Sequence, residues 1–412
     1  MRQFDIILFG ATSFVGEILT RYMLAQQPLN GEMKWAIAGR SPTKLNQLKL
    51  SLGDAAEALP IVVADTDNQA SIDAMCGSTK VIASTVGPYA LYGEPVIQSC
   101  AALGTDYCDL TGEPQWIHKM LGRHEAAAKK SGARIVNCCG FDSIPSDLGV
   151  YFLQQRSKQT LKQHCNIVKM RVKAMKGGAS GGTIASMLNA IKEAMQDKNI
   201  RKKIASPYAL CPAGHGFKVK QINLKSAQYD KDVQAWIAPF VMAAINVRVV
   251  HRSNALLHKQ YGENFLYDEA MITGPKAKGG VGAAALTAGL GGFMLAALLP
   301  PTRWLMEKTI LPKPGEGPSP QAQLEGYYDL RFIGTTPDGQ TISCKVTGDR
   351  DPGYGSTAKM LGQAALCLAQ DMNEKPGGFW TPASLFGEKI IARLEARAGL
   401  TFDIEQALKA SS

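Results

Sequence analysis

The chain lacks the cysteine patterns that hold metals or disulfides. Its nine cysteines include no CxxC pair and no cysteine–histidine spacing that suits zinc. Cys138 and Cys139 are adjacent and follow an apolar run, so we expect buried free thiols rather than a disulfide. A strand pattern begins at Asp5, which leaves no room for a signal peptide. These absences predict a cytoplasmic protein without a metal site.

Aromatic residues are also scarce, at 7% of the 412 residues. The net charge of +10 suits nucleic acid, an anionic membrane or an anionic cofactor. However, basic runs such as KNIRKK (198–203) are not interleaved with aromatic residues that could stack on bases. We therefore expect no nucleic-acid partner.

Six apolar strand patterns alternate with helix patterns over the first 150 residues. Ser41-Pro42 and Glu94-Pro95 are typical of helix starts, and Gly104 and Gly132 of helix ends. Short apolar strands that alternate with helices predict an α/β fold, a doubly wound parallel sheet of the Rossmann type. The strand patterns are DIILFG (5–10), KWAIAG (34–39), LPIVVAD (59–65), KVIASTVG (80–87), TDYCDL (105–110) and ARIVNCCG (133–140).

The pattern changes after about residue 150 and indicates a second, mixed α+β domain. The elements predicted there are a half-exposed strand (166–177), an amphipathic helix (181–199), a hairpin around TPDGQ (327–349) and two helices (355–372 and 383–398). The predicted domains are an NADP-binding Rossmann domain (1–148), a substrate domain (149–354) and C-terminal helices that pack back on the first domain (355–412).

One apolar segment, residues 279–300, stands apart in the predicted substrate domain. Within it, GAAALTAGLGGFMLAALL (282–299) carries no charge. Alanine and glycine contribute little transfer free energy, and a single span would separate the two flanking parts of the chain. We expect a buried or interface helix pair broken at Gly291-Gly292. The alternative is a peripheral anchor on the cytosolic face of the plasma membrane, because 282–299 is flanked by Lys276, Lys278, Arg303 and Lys308.

Residues 4–19, FDIILFGATSFVGEIL, combine a strand, a glycine turn and a helix start. Gly10 permits the tight turn, and Gly16 lets the helix approach the strand. The first N–H groups of the helix then point at a phosphate, with the helix dipole behind them. Ser13 replaces the frequent middle glycine, and its hydroxyl can donate to a phosphate oxygen. The pattern predicts a pyrophosphate site formed by Gly10, Ala11, Thr12, Ser13, Phe14, Val15 and Gly16.

The end of the second strand indicates which dinucleotide binds. An acidic residue at this position commonly holds the ribose of NAD. Here AGRSPTKL has no acid and offers Arg40, Ser41 and Lys44 instead. A guanidinium and a hydroxyl beside a helix N-terminus suit a 2′-phosphate. We therefore predict NADP(H) as the cofactor.

Two later strand ends are expected to complete the cofactor site. Asp65 closes the third strand and is expected either to contact the adenine or to cap the next helix. STVGPY (84–89) ends the fourth strand, where the nicotinamide half of such a cofactor passes. The residues predicted to contact it are Thr85, Val86, Gly87 and Pro88.

The candidates for acid–base catalysis are carboxylates and a tyrosine, because no histidine lies beside these motifs. Tyr89 follows the fourth strand, and Asp109 and Asp142 lie at the ends of the fifth and sixth. Ligands bind outside these strand ends. We take Tyr89, Asp109 and Asp142 as three alternatives for the proton donor, and expect Glu113 and Ser143 to line the same cleft.

With these residues in view, the sequence resembles the saccharopine dehydrogenase-like oxidoreductases, in particular the bacterial branch that includes the trans-acting enoyl reductases. The resemblance covers most of the chain and implies an NADP-binding Rossmann domain, an inserted mixed α/β domain and an NADP-linked oxidoreductase. It rests on FGATSFVGEILTRYM, AGRSPTKL, STVGPYALYGEPVIQSCAALGTDYCDLTGE, CGFDSIPSDLG, GGASGGTIASMLN and VTGDRDPGYGSTAKMLGQAALCLA.

This resemblance, with the predicted cofactor, implies an NADPH-dependent reductase of a carbon–carbon double bond in a lipid-like or polyketide acyl substrate. Two alternatives stay open. One is a saccharopine-type amino-acid dehydrogenase, for whose carboxylate substrates Arg350 is the only cation beside a motif. The other is a non-catalytic NADP-binding protein of lipid surfaces. The sequence does not determine the oligomeric state, and a homodimer is one alternative.

Overall fold

The computed structural model describes residues 2–177, 205–309 and 317–408, together with residues 186, 188–190, 192, 193, 195 and 202. The first part of the chain forms β1 (Phe4–Phe9), α1 (Phe14–Gln26), β2 (Trp35–Gly39), α2 (Pro42–Ser51), β3 (Ile61–Val63), α3 (Gln69–Gly77), β4 (Thr79–Ser84), α4 (Tyr89–Tyr92), α5 (Glu94–Leu103), β5 (Asp106–Asp109), α6 (Pro114–Ser131), β6 (Arg134–Val136) and α7 (Ile144–Thr160).

The remainder builds most of a second sheet and the helices around it. Its elements are β7 (Ile167–Lys176), β8 (Gln228–Asp230), β9 (Ala235–Pro239), α8 (Ala243–Leu256), β10 (Leu266–Gly274), α9 (Lys276–Leu298), α10 (Pro300–Thr309), α11 (Pro320–Leu324), β11 (Tyr327–Thr335), β12 (Thr341–Gly348), α12 (Thr357–Asp371), β13 (Gly378–Trp380), α13 (Pro382–Phe386), α14 (Glu388–Arg393) and β14 (Leu400–Leu408).

The first sheet is parallel, with the strand order β13-β6-β5-β4-β1-β2-β3. All six strands predicted for the first 150 residues are present, and every residue of β2 and β5 is buried. The order reverses between β1 and β4, which is where ligands bind in such sheets. The predicted fold class is confirmed.

Local signals in the sequence start and end the helices as expected. The Ser41 side chain accepts a hydrogen bond from the backbone N–H of Lys44 at 3.3 Å and so caps α2. Gly104 and Gly132 follow α5 and α6 with φ of 70° and 86°, left-handed values that favour glycine. The start of α2 and the ends of α5 and α6 are therefore determined by local sequence.

The second sheet is mixed, with the order β14-β12-β11-β7-β10-β9-β8. β7 and β10 are parallel and the other pairs are antiparallel. The predicted strand (166–177) corresponds to β7 and the predicted hairpin to β11 and β12. α7 packs across β11, β12 and β14 and so joins the two sheets. The predicted helix 181–199 lies largely outside the described residues.

The C-terminal segment departs from the prediction of two helices. α12 packs against α1, β4 and β5, as expected for a segment that returns to the first sheet. However, the second predicted helix, 383–398, is divided into α13, α14 and a π-helical turn at Leu394–Ala398. The left-handed Gly387, with φ of 54°, separates α13 from α14. The segment also supplies the unpredicted edge strands β13, which pairs with β6, and β14, which pairs with β12.

The apolar segment forms one unbroken helix, so the predicted break at Gly291-Gly292 is wrong. A single glycine costs a helix only about 1 kcal/mol, and α9 continues through both residues. It ends at Leu298, and Pro300 follows as the first residue of α10, because proline cannot continue the preceding helix. The helix is also not buried in the protein, since the buried residues of α9 are only Gly279, Ala283 and Ala297, and the expectation of an interface helix stays a prediction.

Candidate active site

Gly10 and Gly16 allow α1 to begin directly above the end of β1. Gly10 has φ of 89°, and a Cβ there would lie 2.7 Å from Cγ2 of Val86. A Cβ at Gly16 would lie 2.2 Å from the carbonyl oxygen of Gly10. Both distances are far below contact, so only glycine fits at either position. The close approach turns the first N–H groups of α1, those of Phe14 and Val15, towards the cleft.

Ser13 stabilises the turn between β1 and α1 through its side chain. Its side-chain oxygen accepts from the backbone N–H of Gly16 at 3.0 Å and so caps α1. The same oxygen lies 3.0 Å from the Thr85 hydroxyl, which donates to the carbonyl oxygen of Gly10 at 2.9 Å. Ser13 and Thr85 therefore join the ends of β1 and β4 at the point where the strand order reverses. The sequence predicted both residues but missed this link.

The basic residues at the end of β2 remain available to an anionic ligand. Arg40 and Lys44 are exposed, and in the described part of the chain no acidic side chain pairs with either. Ser41 keeps its hydroxyl oxygen for the cap of α2. β2 lies directly beside β1, so these cations stand on the side of the pyrophosphate turn where an adenosine ribose would lie.

Asp65 lies at the end of β3 but does not cap α3. Its Oδ1 accepts from the backbone N–H of Asp67 at 3.2 Å, and the cap of α3 is Asn68. The alternative of a helix cap is therefore wrong. A contact between Asp65 and the adenine stays a prediction.

Tyr89 is the first residue of α4, directly after the loop that ends β4, and its hydroxyl is buried and hydrogen-bonded. Its hydroxyl donates to the carbonyl oxygen of Ser84 at 3.0 Å and accepts from the N–H of Leu110 at 3.1 Å. Burial raises the pKa of Tyr89 well above its usual value, and the nearby charge of Asp109 adds to the effect. These bonds fix the loop that carries Thr85 to Pro88 and occupy the hydroxyl.

Glu113 fastens the same loop from the other side. Its carboxylate accepts from the N–H groups of Tyr89 at 2.8 Å and Ala90 at 3.0 Å, and from the hydroxyl of Ser186 at 2.7 Å. Burial raises the pKa of Glu113, and these three donors oppose that shift. The sequence placed Glu113 in the cleft without this role, because no local pattern connects position 113 with 186.

Asp109 is completely buried, and its carboxylate connects the ends of two strands through hydrogen bonds. Oδ1 accepts from the N–H groups of Thr111 and Cys138, each at 3.1 Å, and Oδ2 accepts from the Asn137 amide at 2.8 Å. Burial raises the pKa of Asp109 to about 7 despite these donors. The arrangement ties the ends of β5 and β6 together and leaves no oxygen directed to a ligand.

Asp142 differs from the other two candidates because, within the ranges that the structure describes, its carboxyl group has no hydrogen-bond partner. It is half-buried, and among the described residues none donates a hydrogen bond to it. It lies close to the loop after β5, since a Cβ at Gly112 would be 3.1 Å from its Oδ2. Burial alone raises the pKa of Asp142 to about 7. Its charge also contributes to the raised pKa of Tyr89, which places the two groups in one cluster.

The cations of the second sheet are already paired. Arg171 is buried between Asp230, at 2.7 Å, and Asp268, at 2.8 Å. Arg350 lies 3.0 Å from Asp349 at the surface. Neither guanidinium is free to hold a substrate carboxylate. Ser143, the other residue expected in the cleft, is buried and donates to the Asn246 side chain at 3.0 Å.

These features fit a dinucleotide cofactor. The glycine turn, the helix start and the cations beyond β2 lie in the order that pyrophosphate and a phosphorylated ribose require. No group of three metal-ligating side chains occurs within the described ranges. All nine cysteines are free thiols, and Cys138 and Cys139 are both buried, as expected.

Comparison with known proteins identifies an NADP-binding domain and relatives of the whole chain. Residues 6–136 match the family model of the saccharopine dehydrogenase NADP-binding domain. A Mycobacterium tuberculosis protein named as a trans-acting enoyl reductase is 38% identical over 407 residues, which cover 96% of each chain. The trans-acting enoyl reductase of Mycobacterium ulcerans is 35% identical and covers 95% of this chain and 96% of its own.

The fold also has a solved relative. Apo saccharopine dehydrogenase (L-Glu forming) from Saccharomyces cerevisiae superposes with a TM-score of 0.57 over 98% of this chain and 100% of its own. The sequences are only 12% identical, so this likeness concerns the fold alone.

Proposed function

This chain belongs to the trans-acting enoyl reductase family and is an NADP-dependent oxidoreductase, and we propose that it reduces a carbon–carbon double bond in a lipid-like or polyketide acyl substrate. The proposal rests on the likeness to the named relatives, which extends over 95% or more of both chains. The substrate half is therefore included in the likeness, and not the cofactor domain alone.

The residues at the ends of β1, β2 and β4 would hold the cofactor. NADPH, when bound, supplies a hydride to one carbon of the double bond. The first N–H groups of α1 would bind the pyrophosphate, and Arg40 and Lys44 would bind the 2′-phosphate. Thr85 to Pro88, held by Tyr89 and Glu113, would line the nicotinamide side of the site.

Asp142 is the proton donor in this proposal. Reduction places a hydride on one alkene carbon and a proton on the other, and the Asp142 carboxyl transfers that proton and regains one from solvent. A donor must hold a proton near neutral pH and keep it available. Asp142 does both, because burial raises its pKa to about 7 and no side chain or N–H group in the described part of the chain donates to its oxygens. Tyr89 and Asp109 are both fully engaged with the backbone or with neighbouring side chains.

The experiment is a screen of NADPH oxidation against enoyl thioesters and, in parallel, against keto acid and amine pairs. Turnover only with the enoyl thioesters would support the proposal, and turnover only with the amine pairs would overturn it. Asp142→Asn should lower kcat by about 10²–10⁴-fold and leave the Kd of NADPH unchanged. Asp54→Asn, at an exposed aspartate between α2 and β3, is the matched control and should retain kcat. An unchanged kcat in Asp142→Asn would remove the proposed donor.

A cytoplasmic location is part of the same proposal. Eight of the nine free thiols are buried, and a reducing compartment keeps such thiols free. Cell fractionation tests it, and recovery of the protein in an extracellular fraction would contradict it.

A further inference from the structure

Helices α9 and α10 carry an unusual concentration of exposed apolar side chains. Of the twenty large apolar side chains that are exposed in the described residues, eight lie between positions 281 and 305. Single exposed apolar residues are ordinary, but a contiguous apolar surface marks a binding site. The surface, here called the α9–α10 surface, consists of Val281, Leu286, Met294, Leu295, Leu298, Leu299, Trp304 and Leu305.

Cations stand at both ends of the α9–α10 surface. Lys276 and Lys278 lie in the first turn of α9, and Arg303 and Lys308 lie in α10. Between Gly279 and Thr302 the sequence has no charged residue, and Glu307 is the one acid between 276 and 309. The Lys308 ammonium lies 4.9 Å from the centre of the Trp304 ring. Cations and tryptophan beside an apolar surface are typical of contact with anionic lipid headgroups.

The sheet topology excludes a simple transmembrane span. α9 is long and apolar enough to cross a membrane, and 11% of its most apolar stretch of 18 residues is buried in the protein. However, β10 precedes it and β11 follows α10 and α11, and these two strands flank β7 in one sheet. The chain must therefore return to the side from which it left. A return across the bilayer would carry Glu307, Lys308, Lys313 and Glu316 through hydrocarbon, at a high cost in free energy.

The return also ends beside the cofactor turn. Gly317 lies against Phe14, since a Cβ there would be 2.3 Å from the Phe14 ring. Phe14 is the first residue of α1, directly after the predicted pyrophosphate turn. α9 therefore begins directly after β10, and the chain after α10 is again in contact with the folded protein at Gly317, next to α1.

We propose that α9 and α10 dock the protein on an anionic membrane, lying in the boundary between headgroups and acyl chains without crossing it. The α9–α10 surface is submerged in the acyl region, and Lys276, Lys278, Arg303 and Lys308 contact the headgroups. A helix that is apolar on nearly all sides, as α9 is, needs such surroundings when protein covers so little of it. The docking does not depend on the reaction proposed above.

Vesicle flotation without substrate tests this docking separately from catalysis. Wild-type protein should float with phosphatidylcholine vesicles that contain phosphatidylglycerol, and much less with phosphatidylcholine alone or in high salt. The double variant Leu295→Glu/Leu298→Glu should lose flotation by more than about tenfold. Leu50→Glu is the matched control, because Leu50 is 80% exposed on α2, and it should float like wild type. Flotation of the double variant at the wild-type level would overturn the proposal.

Two further measurements separate docking from misfolding and from self-association. All these side chains are exposed, so thermal unfolding and NADPH affinity should be the same in the variants. Brominated lipids should quench a fluorescence component that is missing in Trp304→Phe. If wild type did not float but sedimented as a dimer that Leu295→Glu/Leu298→Glu dissociates, the surface would be an interface between two copies, and the membrane proposal would be wrong.

Discussion

Replacement of Asp142 by asparagine should make the protein more stable at alkaline pH while it lowers activity. The carboxyl group has no hydrogen-bond donor among the described residues, and burial raises its pKa from 3.8 to about 7. The folded state therefore favours the neutral form. The contribution of Asp142 to stability is complete below the unfolded pKa and is lost as the pH rises through about 7.

The size of the effect follows from the two pKa values. Between the pKa of the unfolded state and that of the folded state, each rise of one pH unit lowers the unfolding free energy by about 1.4 kcal/mol. The loss between about pH 5 and about pH 8 is therefore at most about 3 kcal/mol. Asp142 is half-buried, and solvent screening reduces the expected loss to about 1–2 kcal/mol. Asparagine has the same shape and no charge. Between about pH 5 and about pH 8, the unfolding free energy of Asp142→Asn should therefore rise by this amount relative to that of wild type.

Chemical denaturation of both proteins at the two pH values measures the difference. Every other titrating group is present in both proteins, so its contribution cancels. Asp109→Asn is a contrasting variant: Oδ1 of Asp109 accepts two backbone N–H groups and Oδ2 accepts the Asn137 amide, and an asparagine amide has only one acceptor oxygen for these two places. It should be destabilised at both pH values. A stability difference between Asp142→Asn and wild type that does not change with pH would refute the reasoning.

Two predictions concern the cofactor site. Gly16→Ala should abolish measurable NADPH binding in a fluorescence titration and lower the unfolding free energy by about 1–3 kcal/mol, because its Cβ would overlap the Gly10 carbonyl. Gly122→Ala is the control and should bind NADPH normally, because no atom lies within 4 Å of a Cβ at position 122. Equal NADPH affinity and stability of the two variants would contradict the close approach of α1 to β1. Arg40→Asp should raise the Kd of NADPH by at least about tenfold and change the Kd of NADH little, since a charge-assisted contact contributes about 1.5–3 kcal/mol. Lys49→Asp, at the far end of α2, is the control and should bind both cofactors like wild type. Equal weakening of NADPH and NADH binding by Arg40→Asp would refute the role of Arg40.

The parallel sheet could be predicted from the sequence because its evidence is local. Five of the six strand patterns in the first 150 residues are short apolar runs that end at a glycine or directly follow one, and such signals operate over a few residues. Gly10, Gly16 and Arg40 could be identified for the same reason, since their positions relative to β1 and β2 determine their surroundings. Membership of the family, predicted from six longer motifs, is confirmed by the relatives.

The features that the sequence did not reveal depend on distant parts of the chain. β13 has three residues, too few for a periodic pattern, and it forms only because β6 offers an open edge. The three catalytic candidates had equal sequence support. Only the structure shows that the Tyr89 hydroxyl bonds to Ser84 and Leu110, whereas none of the described residues donates a hydrogen bond to Asp142.

The exposure of α9 was missed for a related reason. Composition determines that a helix is apolar, whereas the neighbours along α9 determine whether it is covered. Glycines at 291 and 292 suggested a break because they weaken a helix, but their cost is small within a helix of 23 residues.

The most direct test of the central claim is transfer of deuterium from NADPH labelled at the nicotinamide C4 position to an enoyl thioester. The account predicts a saturated acyl product that carries one deuterium from the cofactor, detected by mass spectrometry, with the second new hydrogen derived from solvent. Product without cofactor deuterium, or label found only in a secondary amine formed from a keto acid, would contradict it.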